Sequence, residues 1–397
     1  MSETLNRYLA RTLAAAEAAG RRRSRRLVEP LVSEAGRIIV DGRPCTAFCS
    51  NDYLGLASDA RLVEALALAA RQYGVGSGAS HLVSGHSPEH EALEQALAEF
   101  VGREKSIVFS TGYMANLGIA CALLGRGDLV VEDRLNHASL IDAGLASGAR
   151  FARYAHADPD AAEAKLMHYR SRHRVLLTDG VFSMDGDQAP LAALADVCRR
   201  RDAWLVVDDA HGFGVLGATG RGTSEACGIA AEDLPVLMAT LGKSLGVFGA
   251  FVAGPAALID VLVQRARTYL YTTALPPALA RAARTALEIV QAEPWRRSHL
   301  ASLVRRFRSR AAALGLPLLP SETPIQPIVL GSERCALAAS THLLETGFLV
   351  PAIRPPTVPA GASRLRVTLS AIHQVEDVDR LLDALAEWLA LWSAASR

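Results

Sequence analysis

The chain has no C-x-x-C pair, no H-E-x-x-H and almost no charge imbalance, and each absence removes a class of function. Its six cysteines (Cys45, Cys49, Cys121, Cys198, Cys227 and Cys335) are scattered through 397 residues. Neither a disulfide framework nor a zinc motif is expected from that spacing, and the thiols read as reduced and mostly buried. His86-x3-His90 and His168-x4-His173 lack an H-E-x-x-H or cysteine context, so no metal is assigned. A net charge of +1 gives no general pull toward nucleic acid or an anionic membrane. The local exception, Arg21-Arg22-Arg23-Ser24-Arg25-Arg26, reads either as a solvated face or as a contact for an anionic group such as the phosphates of a coenzyme A tail. The longest apolar stretch, Leu234–Ile259, is interrupted by Lys243, and its uncharged remainder falls short of the roughly 20 residues a membrane span needs. No signal peptide is legible, and Glu3 and Glu17 weaken a transit-peptide reading of the Arg- and Ala-rich start. A soluble, cytoplasmic protein is expected.

What is present is globular: half of the residues are hydrophobic and 21% are charged. The length accommodates a large domain and a smaller one. Leu5, Tyr8, Leu9 and Leu13 recur at helical spacing, so the chain opens with an amphipathic helix expected to dock elsewhere on the fold. Arg37–Val40, Asp41-Gly42 and Pro44–Cys49 read as a hairpin. The turn-rich Ser50–Leu56 leads into helices over about 59–73 and 88–101, with the Gly/Ser loop 74–78 between them. Seven strand candidates then alternate with helical patterns: Ser106–Ser110, Leu129–Glu132, Arg150–Tyr154, Arg174–Thr178, Trp204–Asp208, Val236–Thr240 and Gly249–Ala253. That order predicts an α/β fold with a mostly parallel sheet wrapped by helices on both faces. Pro276-Pro277 opens a long helical region broken near Pro294. Ile325–Leu330, a helix, Phe348–Ile353, Leu365–Leu369 and a final helix from about Val375 predict a smaller α+β domain. The expected division is 1–48, an N-terminal helix and hairpin; 49–280, the large domain; and 281–397, the small domain.

The chemistry gathers between Trp204 and Gly249. One strand candidate ends in Asp208-Asp209-Ala210-His211, the next in Thr240-Leu241-Gly242-Lys243-Ser244. In open α/β sheets ligands bind outside the carboxyl ends of the strands, so an acid, an imidazole and an amine are expected to converge there. Two familiar motifs fail at this place. Gly242-Lys243-Ser244 ends like a P-loop, but the required first glycine is replaced by Leu237. Gly212 to Gly217 matches G-x-G-x-x-G, yet Asp208 to His211 intervene after the strand, and the next strand ends in Thr240 rather than an acid. A lysine that forms a Schiff base, paired with an acid at the ring nitrogen of pyridoxal phosphate (PLP), accounts for both strand ends. Asp208 is preferred to Asp209 because it continues the strand alternation, and His211 is placed to reach the ring's phenolic oxygen. Ser110-Thr111-Gly112-Tyr113 feeds a helix N-terminus, which serves as an ordinary cap or as a phosphate site. His137 follows another strand end, where it either caps a helix or stacks on the ring.

Thr240–Gly249 (TLGKSLGVFG) resembles the lysine signature of the α-oxoamine synthases, PLP-dependent enzymes of fold type I that condense an amino acid with an acyl thioester. Ser50–Leu56, Asn136–Leu140, Val181–Asp187 and Asp208–Gly212 look like further motifs of that family, in order along nearly the whole chain. The resemblance implies that Lys243 holds PLP and later acts as general base, with Asp208 on the ring nitrogen, His211 on the phenolic oxygen and His137 over the ring. It also implies that Gly112, Tyr113, Ser183 and Thr240 hold the cofactor and its phosphate. Thr272 and Thr273 are expected to reach the cofactor of a neighbouring subunit, making the working unit a homodimer. Arg354 is expected to grip the amino-acid carboxylate, Arg21 and Thr357 the acyl substrate, and Asn51 is placed with substrate binding. The departures are small: Tyr113 stands where some relatives have Phe, and Asp179 where some have Glu. Ile353–Pro359 (IRPPTVP) looks most like the member that joins L-alanine to a pimeloyl thioester, carried by coenzyme A or a carrier protein. Relatives that use glycine to make 2-amino-3-ketobutyrate or 5-aminolevulinate usually differ there.

Overall fold

The computed structural model describes residues 4–19, 21–31, 34 and 36–395. The chain opens with helix α1 (Leu5–Ala18), none of whose residues is buried. The expected docking of its apolar stripe is therefore not made within this chain: Leu5, Tyr8, Leu9 and Leu13 all face solvent. A helical period shows that a face is apolar but not what covers it. Strands β1 (Val28–Pro30), β2 (Arg37–Val40) and β3 (Arg43–Ala47) follow. The β2–β3 turn places Asp41 and Gly42 at φ 50° and 81°, the left-handed pair that a two-residue hairpin requires.

Helices α2 (Ala60–Tyr73) and α3 (Pro88–Val101) lead into β4 (Lys105–Phe109), α4 (Gly112–Leu123), β5 (Leu129–Asp133), α5 (Ala138–Ala146), β6 (Arg150–Tyr154), α6 (Pro159–His168), β7 (Arg174–Asp179), α7 (Leu191–Arg201), β8 (Trp204–Asp208), β9 (Val236–Thr240) and β10 (Ala250–Gly254). The seven strands from β4 to β10 form one sheet in the order β4-β10-β9-β8-β7-β5-β6, matching the seven expected from sequence. All neighbours are parallel except β10, which runs antiparallel to β4 and β9. Because side chains alternate along a strand, Leu177, Val206 and Met238 enter the core on one face, while Leu176, Val207 and Leu237 enter the core on the other. The same parity sends Asp179, Asp208 and Thr240, two residues further on, to the first face.

The helical region after Pro276 is two helices, Pro277–Ala292 and Trp295–Ala313, interrupted at the expected Pro294. The first packs on α2 and α3. Beyond them, β11 (Ile325–Gly331), β12 (Phe348–Leu349), β13 (Ala352–Ile353) and β14 (Ser363–Thr368) precede the last helix, Val375–Ala395. The expected single strand Phe348–Ile353 is divided between two sheets. β12 pairs in parallel with β3, whereas β13 joins β11 and β14. The N-terminal hairpin and the C-terminal region thus share a sheet. Among the described residues, no helix is long and apolar enough to cross a membrane.

Candidate active site

A cavity of about 190 Å³ opens at the carboxyl ends of β7, β8 and β9. Gly112, Tyr113, His137, Ser183, Asp208, His211, Thr240 and Lys243 line it, so eight of the residues singled out from sequence are brought together. Ser139, Asp179, Ala210 and Met238 line it as well.

Asp208 is buried at the cavity wall. Its Oδ2 accepts from Asn116 Nδ2 at 2.8 Å, and its Oδ1 accepts from the Ala210 N–H at 3.0 Å. Asp209 turns the other way, accepting from the Thr223 N–H at 2.8 Å, and burial pushes its carboxyl up to about 7. Strand parity therefore separates the two acids as the alternation predicted. Lys243 reaches the same space from the loop after β9, its Nζ 2.8 Å from His211 Nε2. Burial lowers its amine to about 8, even though Asp208 and Asp179 pull the other way. Burial likewise holds His211 well below the usual imidazole range, and the positive charges of Lys243 and Arg366 add to the shift.

His137 takes the capping role of the two considered for it, and its ring also faces the cavity. It is the N-cap of α5, with Nδ1 accepting from the Ser139 N–H at 3.3 Å, and it lines the cavity. Burial, despite Asp208, lowers its pKa. Its backbone N–H donates to Asp179 Oδ2 at 2.7 Å. Burial and the neighbouring Asp208 raise Asp179 well above the ordinary carboxylate range. At Gly112, Thr111 caps α4 by accepting from the Met114 N–H at 3.1 Å. The N–H groups of Gly112 and Tyr113 lie in the first turn, where a helix supplies no carbonyl partner. A Cβ at Gly112 would meet Met238 at 3.6 Å and occupy the space under that turn. The Tyr113 hydroxyl donates to Asp142, and Thr240 Oγ donates to the Gly249 carbonyl at 2.9 Å.

Other sequence candidates lie elsewhere. Arg21, Arg354 and Thr357 do come together, but around a separate cavity of about 400 Å³ that also includes Arg23, Pro355 and Pro356. Arg354 does not line the Lys243 cavity. Thr272 and Thr273 follow the short helix Arg267–Leu270, Thr273 exposed, and neither lines that cavity. Asn51 stands beside Arg366, its Oδ1 3.4 Å from both terminal guanidinium nitrogens. Arg366 itself donates to the carbonyl of cavity-lining Ser183 at 2.6 Å and is almost wholly buried. Sequence reasoning missed Arg366, Asn116 and Tyr53, whose hydroxyl meets His211 Nδ1 at 2.5 Å. Asp179 was legible in principle, since β7 ends in register with β8, Asp179 opposite Asp208. The histidine spacing also hid a cluster: ring nitrogens of His81, His86 and His90 lie within 4.8 Å of one another. Those of His90 are engaged, Nδ1 by the Ser87 N–H and Nε2 by the Leu275 carbonyl.

An amine and an imidazole, a carboxylate held by two donors, and a helix N-terminus around one cavity form a donor set that fits PLP. Residues 43–385 match the family model described as aminotransferase class I and II. The chain is 60% identical over 365 residues, 92% of its length and 94% of the relative's, to an 8-amino-7-oxononanoate synthase from Methylococcus capsulatus. It is 57% identical over 385 residues, 97% of its length and 98% of the relative's, to one from Alkalilimnicola ehrlichii. Among solved structures, the serine palmitoyltransferase of Sphingomonas wittichii superposes with a TM-score of 0.92 at 31% identity, covering 97% of this chain and 98% of that one. An 8-amino-7-oxononanoate synthase from Francisella tularensis gives 0.78 at 30% identity over 88% of this chain and 99% of that one. The chain belongs to the aminotransferase class I and II family and, within it, to the α-oxoamine synthases, PLP-dependent acyltransferases of fold type I. The relatives it matches at 53–60% identity over nearly full length are 8-amino-7-oxononanoate synthases.

Proposed function

We propose that this chain condenses L-alanine with a pimeloyl thioester, releasing CO₂ and the thiol to leave 8-amino-7-oxononanoate. The observation that carries the reading is the meeting of Lys243, His211 and Asp208 in one cavity beneath the N-terminus of α4, in a chain so similar to enzymes of that name. When bound, PLP supplies an aldehyde and a protonated ring that takes up electrons released at the amino-acid Cα. Asp208, oriented by Asn116 and the Ala210 N–H, would keep the proton on the ring nitrogen. Lys243 would anchor the cofactor. The Lys243 amine, at about 8, is close enough to neutrality that it would serve as the general base for the proton at the amino-acid Cα. His137 would cover the ring, His211 would donate to its phenolic oxygen, and Gly112, Tyr113, Ser183 and Thr240 would hold the cofactor and its phosphate.

The amino-acid carboxylate is assigned to Arg366 rather than Arg354. Arg366 is held against Ser183 and Asn51 at the cavity, and its charge reaches both Lys243 and His211. Arg354, Arg21 and Thr357 together suit the acyl thioester, whose carrier is coenzyme A or an acyl-carrier protein. A homodimer is proposed. It is supported by Thr272 and Thr273, which lie outside their own chain's cavity, and by the uncovered apolar stripe of α1. The six unpaired cysteines support a reducing, cytoplasmic location.

The test is a purified protein supplied with PLP, L-alanine or glycine, and pimeloyl-CoA or pimeloyl-acyl-carrier protein. Release of thiol and CO₂ with alanine, and loss of covalently held PLP in Lys243→Ala, are expected. Equal turnover with glycine, or none with either pimeloyl thioester, would refute the substrate assignment.

A further inference from the structure

Tyr53 lies in the segment that crosses from the N-terminal hairpin into the large domain, and its side chain is completely buried. Its hydroxyl stands 2.5 Å from Nδ1 of His211, and Nε2 of the same ring stands 2.8 Å from Lys243 Nζ. The three side chains form one line from the crossing segment to the amine. Both ends of the line are fixed against each other. Gly246, three residues beyond Lys243, has φ +68° and runs so close to the segment that a Cβ there would fall 2.4 Å from the Ala57 nitrogen. On the segment itself, the Asp52 carboxylate accepts the N–H groups of Leu56 and Ala57 at 2.8 and 3.0 Å.

The position of the ring proton follows from who can donate to whom. The titratable and charged groups facing His211 are Tyr53, Lys243, Arg366 and His137, and burial together with the last three keeps the ring neutral. A neutral imidazole donates from one nitrogen and accepts at the other. Burial pushes the Tyr53 phenol up to about 12, so it keeps its proton, although the positive charge of the nearby Arg366 guanidinium pulls the other way. A guanidinium only donates, so the phenol proton goes to another neighbour. The two acceptors within reach are His211 Nδ1 at 2.5 Å and Asn51 Oδ1 at 3.5 Å. The nearer one takes it. With Nδ1 accepting, the single ring proton sits on Nε2 and points at the Lys243 nitrogen.

We propose that Tyr53 is a positioning residue acting through His211: its hydroxyl donates to Nδ1 and so fixes the imidazole as a donor at Nε2, toward Lys243 and the cofactor. This rests on the roles given above to Lys243 and His211. A donor at Nε2 favours the uncharged lysine amine, the form that attacks an aldehyde. The reverse tautomer would accept from the ammonium and favour the charged, unreactive form.

The experiment uses the full chain freed of PLP, so the identity of the acyl substrate does not affect it. Brief acetylation across pH, followed by mass spectrometry of the Lys243 peptide, reads the amine's midpoint. In the parent protein the midpoint is expected near 8. In Tyr53→Phe, which removes one oxygen and keeps the ring, it is expected to rise by roughly one unit, a tenfold loss of the neutral form. Nitrogen-15 NMR of histidine-labelled protein, with His211→Asn identifying the resonance, is expected to show the proton on Nε2 in the parent. A proton on Nδ1 in the parent, or an unchanged midpoint in folded Tyr53→Phe, would overturn the proposal. Should Tyr53→Phe fail to fold, the parent NMR measurement alone decides. Failure here leaves the condensation reaction standing, and failure of that reaction leaves the tautomer measurement intact.

Discussion

Asn116 Nδ2 lies 2.8 Å from Asp208 Oδ2 and 2.8 Å from Ser139 Oγ, with all three residues buried. The carboxylate assigned to the ring nitrogen is thus aimed by an amide on α4, the helix whose N-terminus is assigned to the cofactor phosphate. Replacing Asn116 with Ala leaves Asp208 one donor short. The dissociation constant for PLP, measured by fluorescence titration of cofactor-free protein, is expected to rise about tenfold, the size of one charge-assisted hydrogen bond. Asp208→Asn is expected to retain PLP and lose turnover.

Arg366 and Arg354 are expected to act on different substrates. Arg366→Gln should raise KM for alanine by roughly tenfold to a hundredfold, as loss of a charge-assisted pair does, and leave KM for the thioester near the parent value. Arg354→Gln should do the opposite. Steady-state kinetics with each substrate varied in turn reads the split.

Reconstitution with PLP should depend on the Lys243 amine. The group must be uncharged to attack an aldehyde, and its pKa is lowered to about 8. The rate of recovery of the visible absorption band is expected to rise with pH and level off above a midpoint near 8. An unperturbed lysine would place that midpoint near 10.4.

His156 joins β5 to the loop after β7, with Nδ1 3.0 Å from Asp133 and Nε2 2.8 Å from Asp187. Burial works against its charge, but hydrogen bonds to the two carboxylates raise its pKa to about 9. A raised histidine pKa stabilises the fold fully below the unfolded value of about 6.5. That contribution fades as pH climbs from there to about 9. Urea midpoints of the parent should fall across that window, and His156→Gln should lack this part of the slope.

Gly246→Ala combines a positive φ with a Cβ 2.4 Å from the Ala57 nitrogen. A loss of about 2–4 kcal/mol in chemical denaturation is expected. Gly148→Ala, also at positive φ (75°) but with nothing within 4 Å of the added Cβ, should cost about 1 kcal/mol. The difference between the two isolates the close approach.

Much of the fold was written in local pattern. Apolar runs, Pro294 and the Asp41-Gly42 turn act over a few residues, so all seven strands of the main sheet and the break at Pro294 were legible. So were Asp208 and Lys243, because strand parity and strand ends decide where such side chains point. The residues that tune them were not. Asn116 meets Asp208 across 92 positions, Tyr53 meets His211 across 158, and Arg366 meets Ser183 across 183. A hydrogen bond between distant segments leaves no period or spacing in either of them. The same holds for the apolar face of α1, for the pairing of β12 with β3, and for the placing of Arg366 rather than Arg354 beside the cavity. Sequence alone determined that the strand-end side chains Asp208, His211 and Lys243 would meet at one cavity. Only the packing of remote segments decided which groups hold them in place, because burial and hydrogen-bond partners belong to the folded chain.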